Sequence, residues 1–127
     1  MTKQRRYQPT FVYFARCGSF VKIGVSNNPR WRVWSFQGSN PYEIELIGMA
    51  KGDAKLERAL HRRLEEFRHR YEWFRLTAEV EAVIAETCPP DWEKLQTFGM
   101  SEALKADELR KAFDRLRGIN PDHSTHP

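Results

Sequence analysis

The sequence predicts an α+β domain: a small three-stranded antiparallel sheet flanked by helices, with a helical extension toward the C-terminus. Three observations carry this expectation. Two runs rich in β-branched and aromatic residues, Thr10-Phe11-Val12-Tyr13-Phe14-Ala15-Arg16 and Phe20-Val21-Lys22-Ile23-Gly24-Val25, flank a Gly18-Ser19 pair, the pattern of a β-hairpin. Residues 42–49 alternate polar and apolar side chains, as a half-buried strand does. Leu56, Leu60, Leu64 and Phe67 recur at the spacing of one helix face.

Taken in order, residues 1–9 are polar, carry Lys3, Arg5 and Arg6, and end in Pro9, so they read as a basic flexible arm. In the hairpin, glycine at the first loop position suits a type II′ turn. That loop sets the register, with Cys17 opposite Phe20, Ala15 opposite Lys22 and Tyr13 opposite Gly24. Tyr13, Lys22 and the bare backbone of Gly24 then share one face. Val12, Phe14, Val21, Ile23 and Val25 take the other face as core. Asn28-Pro29 is a helix cap followed by proline at the first helical position, so a helix covers Pro29–Gln37 and stops at Gly38. Pro29, Val33 and Phe36 form its apolar stripe. Trp31 and Trp34 lie on a second stripe beside Arg30 and admit two readings: packing beneath the C-terminal extension, or a stacking surface for nucleic-acid bases.

The 42–49 strand completes the sheet, and Asp53 caps a helix over residues 54–68. Glu57 and His61, four apart, border its apolar stripe and can address one site. Arg58, Arg62, Arg63, Arg68 and Arg70 make the remaining surface basic. Residues 71–76, Tyr-Glu-Trp-Phe-Arg-Leu, read mostly as core. Glu72 is expected to bond an arginine or a backbone amide, because an unpaired buried carboxylate is costly. Thr77 caps a further helix through Val80, Val83 and Ile84. Pro89-Pro90 ends that helix and bounds the core at residues 10–88. Residues 89–118 read as a helical extension, with Leu109, Ala112, Phe113 and Leu116 on one helix side, and residues 119–127 as a disordered tail. His123 and His126 belong to that tail rather than to a metal site.

At 127 residues the chain suits one domain. No apolar run approaches the length of a membrane span, and the N-terminus lacks the apolar stretch of a secretory signal. Cys17 and Cys88 are isolated, which reads as two free thiols in a reducing cytosol. Residues 1–87 hold fifteen Lys and Arg against ten Asp and Glu. The charge excess of the chain therefore sits in the part that carries the hairpin, as a polyphosphate partner requires.

Arg32 falls in the first turns of the helix after the hairpin. A hydroxyl, an amine and a guanidinium thus converge on a glycine-floored surface. Val12-Tyr13-Phe14, then Lys22-Ile23-Gly24, then an arginine ten positions after Lys22 resemble the motifs of the GIY-YIG nuclease family, in its compact phage and bacterial branch. Leu56-Glu57-x-x-Leu60-His61 and Glu72-Trp73-Phe74 match that branch as well.

The resemblance implies a metal-dependent endonuclease that hydrolyses nucleic-acid phosphodiester bonds, in DNA in the first instance, within the cytoplasm. Arg32 then serves the scissile phosphate, Glu57 holds one Mg²⁺ or Mn²⁺, and Tyr13 lies near the nucleophilic water. Lys22 stands where the family name has tyrosine, as it does in the compact branch, and this leaves the general base open. Tyr13 needs a large drop from the usual phenol pKa of about 10, with Lys22 and the metal as its sources. His61, of a residue type that titrates near neutrality, is the rival. Arg30, Trp31, Trp34, Arg58 and Arg62 are the candidates for further nucleic-acid contact. A catalytically inactive nucleic-acid-binding module of the same fold is the alternative.

Overall fold

The computed structural model describes residues 9–97; the N-terminal arm and the helices and tail expected beyond residue 97 lie outside the described residues. The hairpin forms as its turn dictates. Strands β1 (Phe11–Cys17) and β2 (Phe20–Ser26) pair antiparallel about Gly18, whose φ is 62°. Cys17 lies opposite Phe20, Ala15 opposite Lys22 and Tyr13 opposite Gly24.

Strand β3 (Glu45–Lys51) adds to the other side of β1. Phe14 pairs with Gly48 but Ala15 pairs with Leu46, which leaves Ile47 as a bulge. The bulge re-phases the alternation, so Ile44, Leu46 and Met49 share one face while Ile47 turns to the other. The strand starts later than its alternation suggests because the Gln37 side chain holds residues 42–44 as a loop, bonding the Tyr42 carbonyl at 2.9 Å and the Ile44 amide at 2.7 Å.

The three expected strands are joined by two short ones, β4 (Arg68–Arg70) and β5 (Trp73–Arg75), in the order β3-β1-β2-β5-β4. Strands of three residues carry no readable alternation, and an edge built from Arg68, His69 and Arg70 looks like a solvated loop in sequence.

Helix α1 (Pro29–Gln37) covers one sheet face, closing a core of Phe11, Tyr13, Ala15, Val33, Ile44 and Met49. Helices α2 (Ala54–Arg63) and α3 (Ala78–Thr87) cover the other, over Val12, Phe14, Val21, Ile23, Leu60, Leu64, Phe74 and Val80. Asn28, Asp53 and Thr77 cap the three helices through their side chains. Helix α2 is five residues shorter than its apolar spacing predicts. Leu64 leaves helical geometry (φ −106°, ψ 18°) and a 3₁₀ turn, Glu65–Phe67, follows. The tighter turn keeps Leu64 and Phe67 inward, so the periodicity persists past the helix end.

Two further expectations change. Tyr71 is not core but 80% exposed, because a φ of 55° at the β4–β5 turn directs it outward. The run after α3 is not detached. Cys88 packs on the α2–α3 side, whereas Trp92 and Leu95 join the α1 side, so the chain passes around the β3 edge. Among the described residues no helix is long and apolar enough to cross a membrane.

Candidate active site

Tyr13 occupies the middle of β1, where Gly24 across the hairpin offers no side chain. The ring fills that gap: a Cβ on residue 24 would meet Tyr13 Oη at 2.6 Å and Cζ at 2.7 Å. The cap at Asn28 starts α1 so that Arg32, exposed one turn in, lies close enough for its charge to act on the phenol. Burial pushes the phenol up to about 12; Arg32 opposes this, while the charges of Glu72 and Glu57 add to it. The expected drop in the Tyr13 pKa therefore runs the other way. Lys22 is directed elsewhere.

From β2 the Lys22 ammonium reaches Glu72 at 3.6 Å and lies 4.6 Å from the centre of the Phe36 ring and 6.0 Å from that of Trp73. The partner of Glu72 is thus this lysine, not an arginine or an amide. Residue 22 pairs with Trp73 on β5, so the Tyr71-Glu72 turn delivers the carboxylate beside it. In sequence, Glu72-Trp73-Phe74 matches the family branch, but nothing there places Glu72 beside Lys22.

Helix α2 contributes Glu57 and, one turn on, His61. The Nε2–H of His61 donates to the Ile23 carbonyl at 3.0 Å, since a carbonyl can only accept, and its ring centre lies 5.1 Å from that of Phe74. In the neutral ring this leaves Nδ1 as the acceptor. Burial raises the pKa of the Glu57 carboxyl, and the nearby Glu72 raises it further; His61, Arg58 and Lys22 oppose. Among the described residues the Glu57 carboxylate has neither a hydrogen bond nor an ion pair, while its backbone amide bonds the Asp53 carbonyl. Lys22, Glu57, His61, Arg68, Tyr71, Glu72 and Trp73 line one open recess. A larger recess at the β1–β2 turn and one of similar size beside α3 contain none of the expected site residues.

The structure thus brings Tyr13, Lys22, Arg32, Glu57 and His61 into one electrostatic neighbourhood and adds Glu72. The other expected contact residues lie outside the recess. Arg30 donates to the Glu93 carbonyl at 2.6 Å and the Leu95 carbonyl at 3.3 Å, facing the run after α3. Trp31, 41% exposed, and the half-buried Trp34 have ring centres 6.3 Å apart at 42°. Arg58 and Arg62 are exposed on α2, each one position beyond Glu57 and His61. Among the described residues no group of three His, Cys, Asp or Glu side chains is placed to hold a metal ion.

The family model of the T5orf172 domain matches residues 10–88, more than half of the chain. No curated protein and no solved structure matches it.

Proposed function

The chain belongs to the T5orf172 domain family, a domain of nuclease-like proteins of phages and bacteria, and from that premise we propose that it is a metal-dependent endonuclease of GIY-YIG type acting on DNA. The observation that carries the reading is that Lys22, Glu57 and His61 line one recess, while Tyr13, with Arg32 beside it, lies within electrostatic reach of Glu57. The basic hairpin side and single unpartnered carboxylate of this recess suit a phosphodiester better than a neutral substrate.

Arg32 is the phosphate residue. Its guanidinium is exposed, permanently charged, and oriented by a buried phenol that cannot move far. Lys22 adds a second positive charge, steadied by Glu72 and Phe36. Glu57 would hold Mg²⁺ or Mn²⁺, which when bound supplies Lewis acidity at the phosphorus oxygens and charge stabilisation at the leaving oxygen. The donor set fits such an ion: one partly buried carboxylate without a protein partner suits a hard cation that keeps most of its waters. Water activation falls to His61 rather than Tyr13. At neutral pH a phenol pushed up to about 12 is a donor, whereas the His61 ring has one nitrogen committed to Ile23 and one left to accept a proton. Tyr13 then orients Arg32.

One observation favours a second reading, a nucleic-acid-binding module that does not cleave: the Tyr13 phenol is held away from its ionised form. Incubation with single- and double-stranded DNA in Mg²⁺, Mn²⁺ or EDTA separates the two. The nuclease reading expects cleavage that EDTA abolishes. It also expects Glu57→Ala to bind DNA as tightly as the parent or tighter while losing cleavage. Arg32→Ala should cut about 10²–10³-fold more slowly, the usual cost of removing one preorganised donor to a developing oxyanion. Binding without metal-dependent cleavage of any substrate would move the assignment to the second reading.

A further inference from the structure

The β4–β5 hairpin turns through only two residues, Tyr71 and Glu72, and Tyr71 takes a φ of 55°. Positive φ at the first position of such a loop is the territory of glycine or asparagine. A bulky aromatic there carries backbone strain. Core burial does not offset that strain, since Tyr71 is 80% exposed. Its side chain makes no hydrogen bond or ring contact among the described residues.

The backbone around it is nevertheless clamped. Arg68 pairs with Glu65 at 2.9 Å, lies 4.9 Å from the centre of the Phe74 ring, and donates to the Tyr71 carbonyl. The Glu72 carbonyl accepts from the Ile23 amide at 3.0 Å. An exposed aromatic ring is thus carried on a clamped, strained backbone at the rim of the recess that holds Glu57 and His61, with Trp73 lining the same recess.

We propose that Tyr71 is a stacking platform for a nucleobase of the strand whose phosphate enters this recess, with Trp73 as a second aromatic surface. Every base has a π-face, so such a platform accepts any sequence. Arg70, exposed and without an ion pair among the described residues, is adjacent in the chain to meet the backbone. The proposal commits to a substrate class. A base inside a duplex has both faces covered by its neighbours, so the base on Tyr71 is unpaired: in a single strand, a frayed end or a flipped nucleotide. It rests on the nuclease reading for the identity of the recess, but on neither the metal nor the general base.

The test uses the full chain in EDTA, so that binding is read without cleavage. Fluorescence anisotropy compares a labelled single-stranded oligothymidylate with an abasic strand of the same length. Tyr71→Gly removes the ring and also relieves the strain, so its melting temperature should rise by several degrees. Its affinity for oligothymidylate should fall about 5- to 150-fold, the size of one lost stacking contact, with affinity for the abasic strand unchanged. Tyr71→Phe should bind as the parent does. A Tyr71→Gly variant that melts higher and binds equally well would show that Tyr71 is a turn residue only, and would overturn the proposal. An equal loss on both strands would overturn it too, as would a parent that binds neither. Failure of the nuclease reading looks different: the parent binds the oligothymidylate through Tyr71 but does not cut it when Mg²⁺ or Mn²⁺ is restored.

Discussion

Gly24→Ala tests whether the site is built as described, because two effects of opposite sign meet at one atom. An ordinary glycine inside a strand is about 0.5–1 kcal/mol less favourable than alanine, so the substitution should stabilise. Here the new Cβ would lie 2.6 Å from Tyr13 Oη, 2.7 Å from Cζ and 2.9 Å from Cε2. The ring has little room to retreat, being buried among Val33, Met49 and Ala15. Forcing an atom into such packing costs about 1–3 kcal/mol, so a net loss of about 1–2 kcal/mol is expected. Urea unfolding followed by circular dichroism measures it. The partner substitution sharpens the test. Tyr13→Phe leaves Cζ and Cε2 in place and should not rescue Gly24→Ala, whereas leucine at position 13 has none of the three atoms and should. Cleavage should fall with Gly24→Ala even where the protein is folded, since a displaced phenol no longer orients Arg32. A stabilised Gly24→Ala variant would refute the reasoning, for the ring would not then lie over residue 24.

Two other outcomes are expected. Folding raises the Tyr13 pKa from 10.0 to about 12, so the folded state holds this proton more tightly than the unfolded chain. The associated stability is complete below pH 10 and is lost as pH rises toward 12, by about 3 kcal/mol for a shift of this size. The difference in urea midpoint between the parent and Tyr13→Phe across that range reads it, and a difference that stays flat would contradict the burial argument. Leu95→Ala should cost about 1–2 kcal/mol, although Leu95 lies beyond the core expected from sequence, because its side chain packs on the α1 side of the domain. Thermal melts of the full chain check this, and an unchanged melt would return residues 89–97 to the status of a dispensable extension.

What could be read from the sequence follows from what is local. The Gly18-Ser19 turn fixes the β1–β2 register, and the register alone puts Tyr13 over Gly24 and Lys22 beside Ala15. Asn28-Pro29 fixes where α1 starts and hence where Arg32 stands. Other features were hidden. The apolar spacing of α2 continues through a 3₁₀ turn, so Leu64 and Phe67 mask the helix end. Strands β4 and β5 are too short for a pattern, and a positive φ at Tyr71 cannot be guessed when the residue is not glycine. The Tyr13 pKa depends on tertiary closure by α1 and on the distance of Glu57 and Glu72, none of which is written near residue 13. The partner of Lys22 was missed for the same reason, because Glu72 arrives from a turn fifty residues away in the chain.

Ile23 ties the two halves of the site with its main chain. Its amide bonds the Glu72 carbonyl and its carbonyl accepts from His61, both at 3.0 Å, while its side chain is buried with the α2–α3 core. Backbone atoms are the same whatever residue is encoded. A lineage can therefore exchange Ile23 for valine or leucine, at the modest cost of repacking, and still inherit the anchor for the histidine and the turn. Proline alone removes the amide. The code thus separates two kinds of heritable change at one position: side-chain drift that alters only the core, and a single substitution that unfastens the site.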